Sequence, residues 1–65
     1  MNNEWKEYDG NYPKEEVDIQ IKDGREFGPV WGNNGTFTLL TGPNEGKSIA
    51  GELVRKIRLA KNPTY

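Results

Sequence analysis

The sequence has 65 residues, of which 32% are hydrophobic and 29% charged, with a formal net charge of −1 and neither cysteine nor histidine. A chain of this length forms one small domain with a thin core. The composition excludes disulfides, thiolate and imidazole chemistry and the usual zinc sites, so we predict a protein that is not an enzyme, holds no cofactor or metal and gains stability by forming a homo-oligomer.

Charge is divided unevenly along the chain. Residues 1–26 carry a net charge of −4, whereas residues 27–65 carry +3. We expect the two halves to attract each other within the fold. No basic stretch followed by an apolar run opens the sequence, and no apolar run is long enough to span a bilayer, which predicts a cytoplasmic protein without a membrane partner.

Residues 1–15 mix aromatic and acidic residues with Gly10 and Pro13, which predicts an extended arm whose aromatic residues cover an edge of the core. We assign residues 16–62 to a single small β domain and residues 63–65 to a tail. The first strand of the domain is the clearest element, since Val17, Ile19 and Ile21 alternate with polar residues. This alternation predicts a strand with one solvated face that bears Asp18, Gln20 and Lys22.

Segments rich in glycine, proline and asparagine predict the turns that divide the rest of the chain into strands. Asp23-Gly24 predicts a type I′ turn, and the return strand over residues 25–31 contains Gly28-Pro29, which places it at a sheet edge or gives it a bulge. Further turns are predicted at residues 33–35 and 42–46, with a strand over residues 36–41 between them.

Residues 49–60 fit two patterns. Ile49, Leu53, Ile57 and Ala60 match a helical stripe, while alternation from Leu53 to Leu59 matches a strand, and we favour the strand. The predicted fold is therefore mainly β, a small antiparallel meander that curls into an open barrel, with residues 49–60 as its last strand or alternatively as a C-terminal helix.

Residues 39–48 resemble the start of a phosphate-binding P-loop, because a strand leads into a glycine-rich turn that ends in Gly46-Lys47-Ser48. Three residues separate Gly42 from Gly46 where the motif needs four, and Glu45 adds negative charge. The segment therefore predicts a turn between strands rather than nucleotide hydrolysis. Lys47 and Ser48 still offer a weak phosphate site without catalysis.

Aromatic and basic residues supply the other candidate binding groups. An indole beside a flexible polar loop, as Trp31 is beside Asn33 and Asn34, either caps the core or anchors a ligand. Trp5 and Tyr8 in the arm share this ambiguity, and Arg55 belongs to a short basic patch that is otherwise typical of a solvated surface. The candidate ligand- or partner-binding residues are Trp31, Asn33, Asn34, Lys47, Ser48, Arg55, Trp5 and Tyr8.

About half of the sequence resembles short accessory proteins of tailed phages and prophages. The resemblance lies in residues 4–10 (EWKEYDG), Pro13, residues 17–25 (VDIQIKDGR) and residues 57–61 (IRLAK). Ile57 stands where the phage proteins commonly have an aromatic residue, and the turn at residues 42–46 is an insertion. The resemblance implies a viral protein in the host cytoplasm that counters host defence or modulates the host, and it assigns no functional residue.

These observations lead to two principal hypotheses. In the first, the protein binds and inhibits a host protein stoichiometrically, with Trp5, Tyr8, Tyr12 and Trp31 as anchors. In the second, assembled copies sequester a small phosphorylated, nucleotide-like signal molecule, with Trp31 stacking on the base and Lys47, Ser48 and Arg55 holding phosphate. Nucleic-acid binding is a third and weaker alternative.

Overall fold

The computed structural model describes residues 4–64, so residues 1–3 of the predicted arm and residue 65 of the predicted tail lie outside the described residues. Six strands and one short 3₁₀ helix follow one another along the chain. They are β1 (Lys6–Glu7), β2 (Val17–Ile21), β3 (Glu26–Asn33), β4 (Thr36–Leu39), β5 (Ser48–Ala50), the 3₁₀ turn Gly51–Leu53 and β6 (Val54–Leu59).

All six strands belong to one antiparallel sheet in the order β1-β6-β2-β3-β4-β5. Strands β2 to β5 form the predicted meander, and β6 returns to lie between β1 and β2. The mainly β prediction is confirmed, and residues 49–60 are largely extended, as favoured, with a single 3₁₀ turn.

The sheet is curved but does not close into a barrel. In a flat sheet, β5 and β6 would be about 19 Å apart across four strand spacings. The link from Ala50 to Val54 spans at most about 14 Å. The sheet must therefore curl, and its concave side encloses the core, which consists of Val17, Ile19, Ile21, Val30, Phe37, Val54 and Ile57.

The first hairpin forms, but its predicted turn type is wrong. Type I′ needs positive φ at both central residues, and here Gly24 has a φ of 96° whereas Asp23 is not in that region. Gly24 N donates to Ile21 O, and Ile21 N donates to Arg25 O. This is a three-residue loop with Gly24 in the left-handed position. The Arg25 backbone N–H donates to the Asp23 carboxylate, which lowers the pKa of Asp23.

The type I′ turn occurs instead between β3 and β4. Asn34 and Gly35 have φ values of 49° and 87°, and they join the paired residues Asn33 and Thr36. Both central residues tolerate positive φ, which explains why this hairpin is tight.

Strand β3 is central in the sheet, so the edge alternative for Gly28-Pro29 is wrong and the bulge alternative is correct. Val17 pairs with Val30 while Ile19 pairs with Phe27, which leaves one extra residue on β3. The bulge accommodates Pro29, which lacks a backbone donor, inside a sheet.

Candidate functional site

Tyr8 and Tyr12 pack against the core instead of forming an exposed surface. Their rings lie with centroids 5.6 and 5.2 Å from that of Phe37, and 6.3 Å from each other. Gly32 leaves room for this cluster, since a Cβ there would stand 2.6 Å from Phe37 and 2.7 Å from Tyr12. The predicted covering of the core by arm aromatics is thus seen for both tyrosines.

The Tyr8 hydroxyl is buried and has no hydrogen-bond partner among residues 4–64. Burial, together with the neighbouring Tyr12 and Asp9, raises the pKa of Tyr8 above its usual range. Burial therefore favours the neutral phenol in the fold, and the ring packs against the core.

Trp5 lies beside β6, where the Arg58 guanidinium stacks 4.1 Å from the centroid of its indole ring. Arg58 Nε also donates to Asp18 Oδ2 at 2.9 Å, and both side chains of this ion pair are mostly buried. The arm and β6 frame a cleft of about 340 Å³. Its lining residues are Glu4, Trp5, Lys6, Pro13, Glu15, Val17, Ile57, Arg58 and Leu59.

Asp18 is buried, which corrects the prediction that its face of β2 is solvated. Besides Arg58 Nε, it accepts a hydrogen bond from Lys61 N at 3.3 Å. The neighbouring Glu16 is buried as well and accepts hydrogen bonds from the backbone N–H and the hydroxyl of Thr64. Both carboxylates therefore hold residues 61 and 64 against β2 and the residue that precedes it, which is a structural role.

The convex side of strands β3, β4 and β5 carries the second tryptophan. Trp31 pairs with Thr38 and Thr38 with Ser48, so these three side chains form one row across the strands. Asn33, Thr36 and Ala50 form the next row. We call these six residues the Trp31 face: Trp31, Asn33, Thr36, Thr38, Ser48 and Ala50.

The Trp31 face is uncharged and accessible. No residue from 27 to 44 is charged, although charged residues make up 29% of the sequence. Trp31 itself is half-buried, while Asn33 and Ser48 are exposed. The opposite side of the same strands is filled by Val30, Phe37 and other core residues, so the Trp31 face is the side of these strands that lies away from the core.

The structure brings only some of the predicted phosphate-binding residues together. Ser48 lies in the row of Trp31, and Lys47 precedes it in an exposed position, but Arg55 is on β6, beyond β2 in the sheet. Asn34 lies in the exposed turn beyond Asn33.

The turn at residues 42–46 does not present a row of free backbone donors. The backbone N–H groups of Glu45, Gly46 and Lys47 donate to the carbonyls of Gly42, Leu39 and Asn44. A phosphate-binding loop needs such groups to point at the anion. The segment still offers an anion the Lys47 ammonium and the Ser48 hydroxyl, and that hydroxyl lies 3.3 Å from the hydroxyl of Thr38.

The described residues contain no cluster of three acidic side chains that would hold a metal ion. Over the same residues, no helix has the length and apolar character needed to cross a membrane. No protein-family model, curated protein or solved structure matches the chain.

Thr36, Thr38 and Ala50 were not among the candidate residues from sequence. Their position on the same face as Trp31 depends on strand pairing, which short-range patterns do not reveal. The signal that was available is the uncharged run from residue 27 to residue 44.

Proposed function

We propose that the protein is a non-enzymatic binder that acts by stoichiometric association with another protein, and that the Trp31 face makes the contact. The observation that carries this proposal is a half-buried tryptophan on an uncharged sheet face, in one row with Thr38 and Ser48. Protein interfaces are depleted in charge at their centre and depend on a few anchors, among which tryptophan is prominent.

The residue inventory supports binding over turnover. The sequence has no histidine or cysteine, so the commonest general base and the strongest nucleophile are missing. The buried Asp18 and Glu16 are occupied by Arg58, Lys61 and Thr64. The resemblance to phage accessory proteins makes a host protein the proposed partner, and inhibition in the host cytoplasm the proposed consequence.

The experiment compares the two tryptophans as matched variants. Wild type, Trp31→Ala and Trp5→Ala are each immobilised, and bacterial host lysate is passed over them. A stoichiometric partner is identified by mass spectrometry, purified and titrated by calorimetry. We expect Trp31→Ala to weaken binding by at least about 30-fold, as for an interface anchor, and Trp5→Ala to bind like wild type.

The opposite pattern would overturn the proposal. If Trp5→Ala lost the partner while Trp31→Ala kept it, the cleft beside β6 would be the interface. Circular dichroism of both variants checks that any loss of binding is not a loss of folding.

The second candidate function, sequestration of a small phosphorylated molecule, rests on the row that joins Trp31 to Ser48, with Lys47 next to it. An indole for stacking and a cation for phosphate are thereby brought to one end of the sheet. The dependence of the binding affinity on salt concentration distinguishes the two candidate functions. Binding of a phosphorylated ligand through Lys47 should weaken as NaCl is raised, whereas association through the uncharged face should change little.

A further inference from the structure

Strand β5 presents an outer edge whose backbone groups have no partner strand. Leu39 N donates to Lys47 O, and Gly51 N donates to Gly35 O, so the odd-numbered residues at both ends of β5 face β4. Hydrogen bonding alternates along an antiparallel pair. The N–H and C=O groups of Ser48 and Ala50 therefore point away from β4, and no described strand lies beyond them.

Apart from its short length of three residues, this edge lacks the features that usually prevent strands from associating. Natural edge strands are protected by charged residues, proline or bulges. Residues 48–51 are Ser, Ile, Ala and Gly, and the register of β5 against β4 is regular. The link that follows the edge carries Leu53, which is 45% accessible and is the one exposed large apolar side chain among the described residues.

The occupant that fits this edge is a second copy of the chain. An antiparallel pair of β5 strands centred on Ile49 places Ser48 of each copy opposite Ala50 of the other, so the outward groups of both residues are satisfied. The same register sets Lys47 of each copy opposite Gly51 of the other, one residue away from Glu52, so opposite charges flank each end of the strand pair.

We infer that the protein forms a two-fold symmetric dimer in which the β5 strands pair and the two sheets become continuous. The interface is isologous, since the same edge is used by both copies. It goes beyond the proposed function, because it would place the two Trp31 faces side by side, with Ser48 and Ala50 of both copies where the faces meet. The interface is small, so the dimer is weak and depends on concentration.

Ala50→Pro tests this inference without disturbing the monomer. Ala50 has a φ of −60° and a ψ of 132°, which proline adopts readily, and its N–H is one of the outward donors that the dimer uses. Ala50→Val is the matched control, because it keeps the donor and suits a strand. Each protein is studied by sedimentation equilibrium and by NMR from about 10 µM to about 1 mM, a range in which a weak dimer dissociates on dilution.

We expect wild type and Ala50→Val to approach twice the monomer mass at the highest concentration, with the Ser48 and Ala50 amide signals of the wild type shifting as the dimer forms. Ala50→Pro should raise the dissociation constant at least tenfold while keeping the monomer spectrum. A wild type that stays monomeric throughout, or a dimer that Ala50→Pro leaves intact, would overturn the inference. Binding of a host protein by Trp31 is measured separately and stands or falls independently of this result.

Discussion

The carboxylates of Asp18 and Glu16 and the hydroxyl of Tyr8 are three buried polar groups that differ in how their hydrogen-bonding needs are met. Asp18 and Glu16 each accept from groups that lie 40 or more residues further along the chain. These bonds offset the cost of removing the carboxylates from water. The Tyr8 hydroxyl has no such partner among residues 4–64. Of the three, Tyr8 is the group whose polar atom does not stabilise the fold.

Tyr8→Phe should therefore be tolerated or mildly stabilising at pH 7, by up to about 1 kcal/mol, because it removes an unpaired buried hydroxyl while retaining the ring. The raised pKa of Tyr8 also predicts a pH dependence. Above the ordinary value of 10.0 the unfolded phenol ionises while the folded one stays neutral, so wild-type stability falls as pH rises. Urea unfolding of both proteins from pH 8 to pH 11.5 measures the difference.

The advantage of Tyr8→Phe should grow above pH 10, by up to about 1.4 kcal/mol per pH unit. A difference between the two proteins that stays constant over this range would show that Tyr8 titrates alike in both states.

For individual residues, the sequence predicts which face of β2 each side chain occupies but not how far other elements bury that face. Asp18 was expected to be solvated, since it alternates with Val17 and Ile19. Its burial depends on Arg58 and Lys61, which reach it only after β6 pairs with β2. The same limit applies to Tyr8, whose ring is partly buried against Phe37.

Among the elements, β3 shows how a sheet accepts residues that disfavour it. Its bulge at Gly28-Pro29 lets the strand continue as a central one, and Gly28 is required there for space. A Cβ at residue 28 would stand 1.9 Å from Asp18 Oδ1 and 3.0 Å from its Cα. The absence of a side chain at Gly28 in the bulge thus leaves the space that the Asp18 carboxylate occupies.

Gly28→Ala should destabilise the protein by about 1–3 kcal/mol, as overpacking does. Because the closest contact is with the carboxylate, the penalty should shrink when Gly28→Ala is made in an Asp18→Ala background. Thermal and urea unfolding of the two single variants and the double variant give this coupling directly. Equal penalties in both backgrounds would mean that backbone distortion, and not the carboxylate, determines the cost.

Turn positions were well predicted, whereas turn geometry was predicted for the wrong hairpin. Asp23-Gly24 and Asn34-Gly35 both satisfy the residue preferences of type I′, yet only the second adopts it. Loop length decides between them, because Ile21 N bonds to Arg25 O and closes a three-residue loop. That length follows from the register of β2 and β3, which lies outside the local sequence.

Over the whole molecule, strands from the acidic half of the chain pair with a strand from the basic half. The basic β6 lies between β1 and β2, where Lys56 pairs with Glu7 and Arg58 with Asp18. The attraction expected from the charge distribution is thus used inside the monomer. The uncharged run of residues 27–44 falls on β3 and β4, away from these pairs, which leaves the Trp31 face free of charge.

Two arginines allow a matched test of how much the buried ion pair between β6 and β2 contributes to the free energy of unfolding. Arg58 and Arg25 each form an ion pair through Nε and stack on an aromatic ring, but Arg25 is 69% exposed and Arg58 only 19%. Arg58→Gln should lower the free energy of unfolding by about 2–4 kcal/mol, because it leaves Asp18 buried without its cation. Arg25→Gln should barely move the urea midpoint, because water screens an exposed pair. Similar losses of stability in the two variants would show that burial of the Arg58–Asp18 pair does not determine its contribution.

The position of β6 also sets the order in which the molecule can be completed during synthesis. Strand β2 is hydrogen-bonded on one side to β3, its neighbour in the chain, and on the other to a strand made more than 30 residues later. The ribosome must release the chain at least as far as Leu59 before β2 has both neighbours. Until then the meander of β2 to β5 exposes a second open edge, and the nascent polypeptide depends on the speed of its last strand to avoid pairing with other chains.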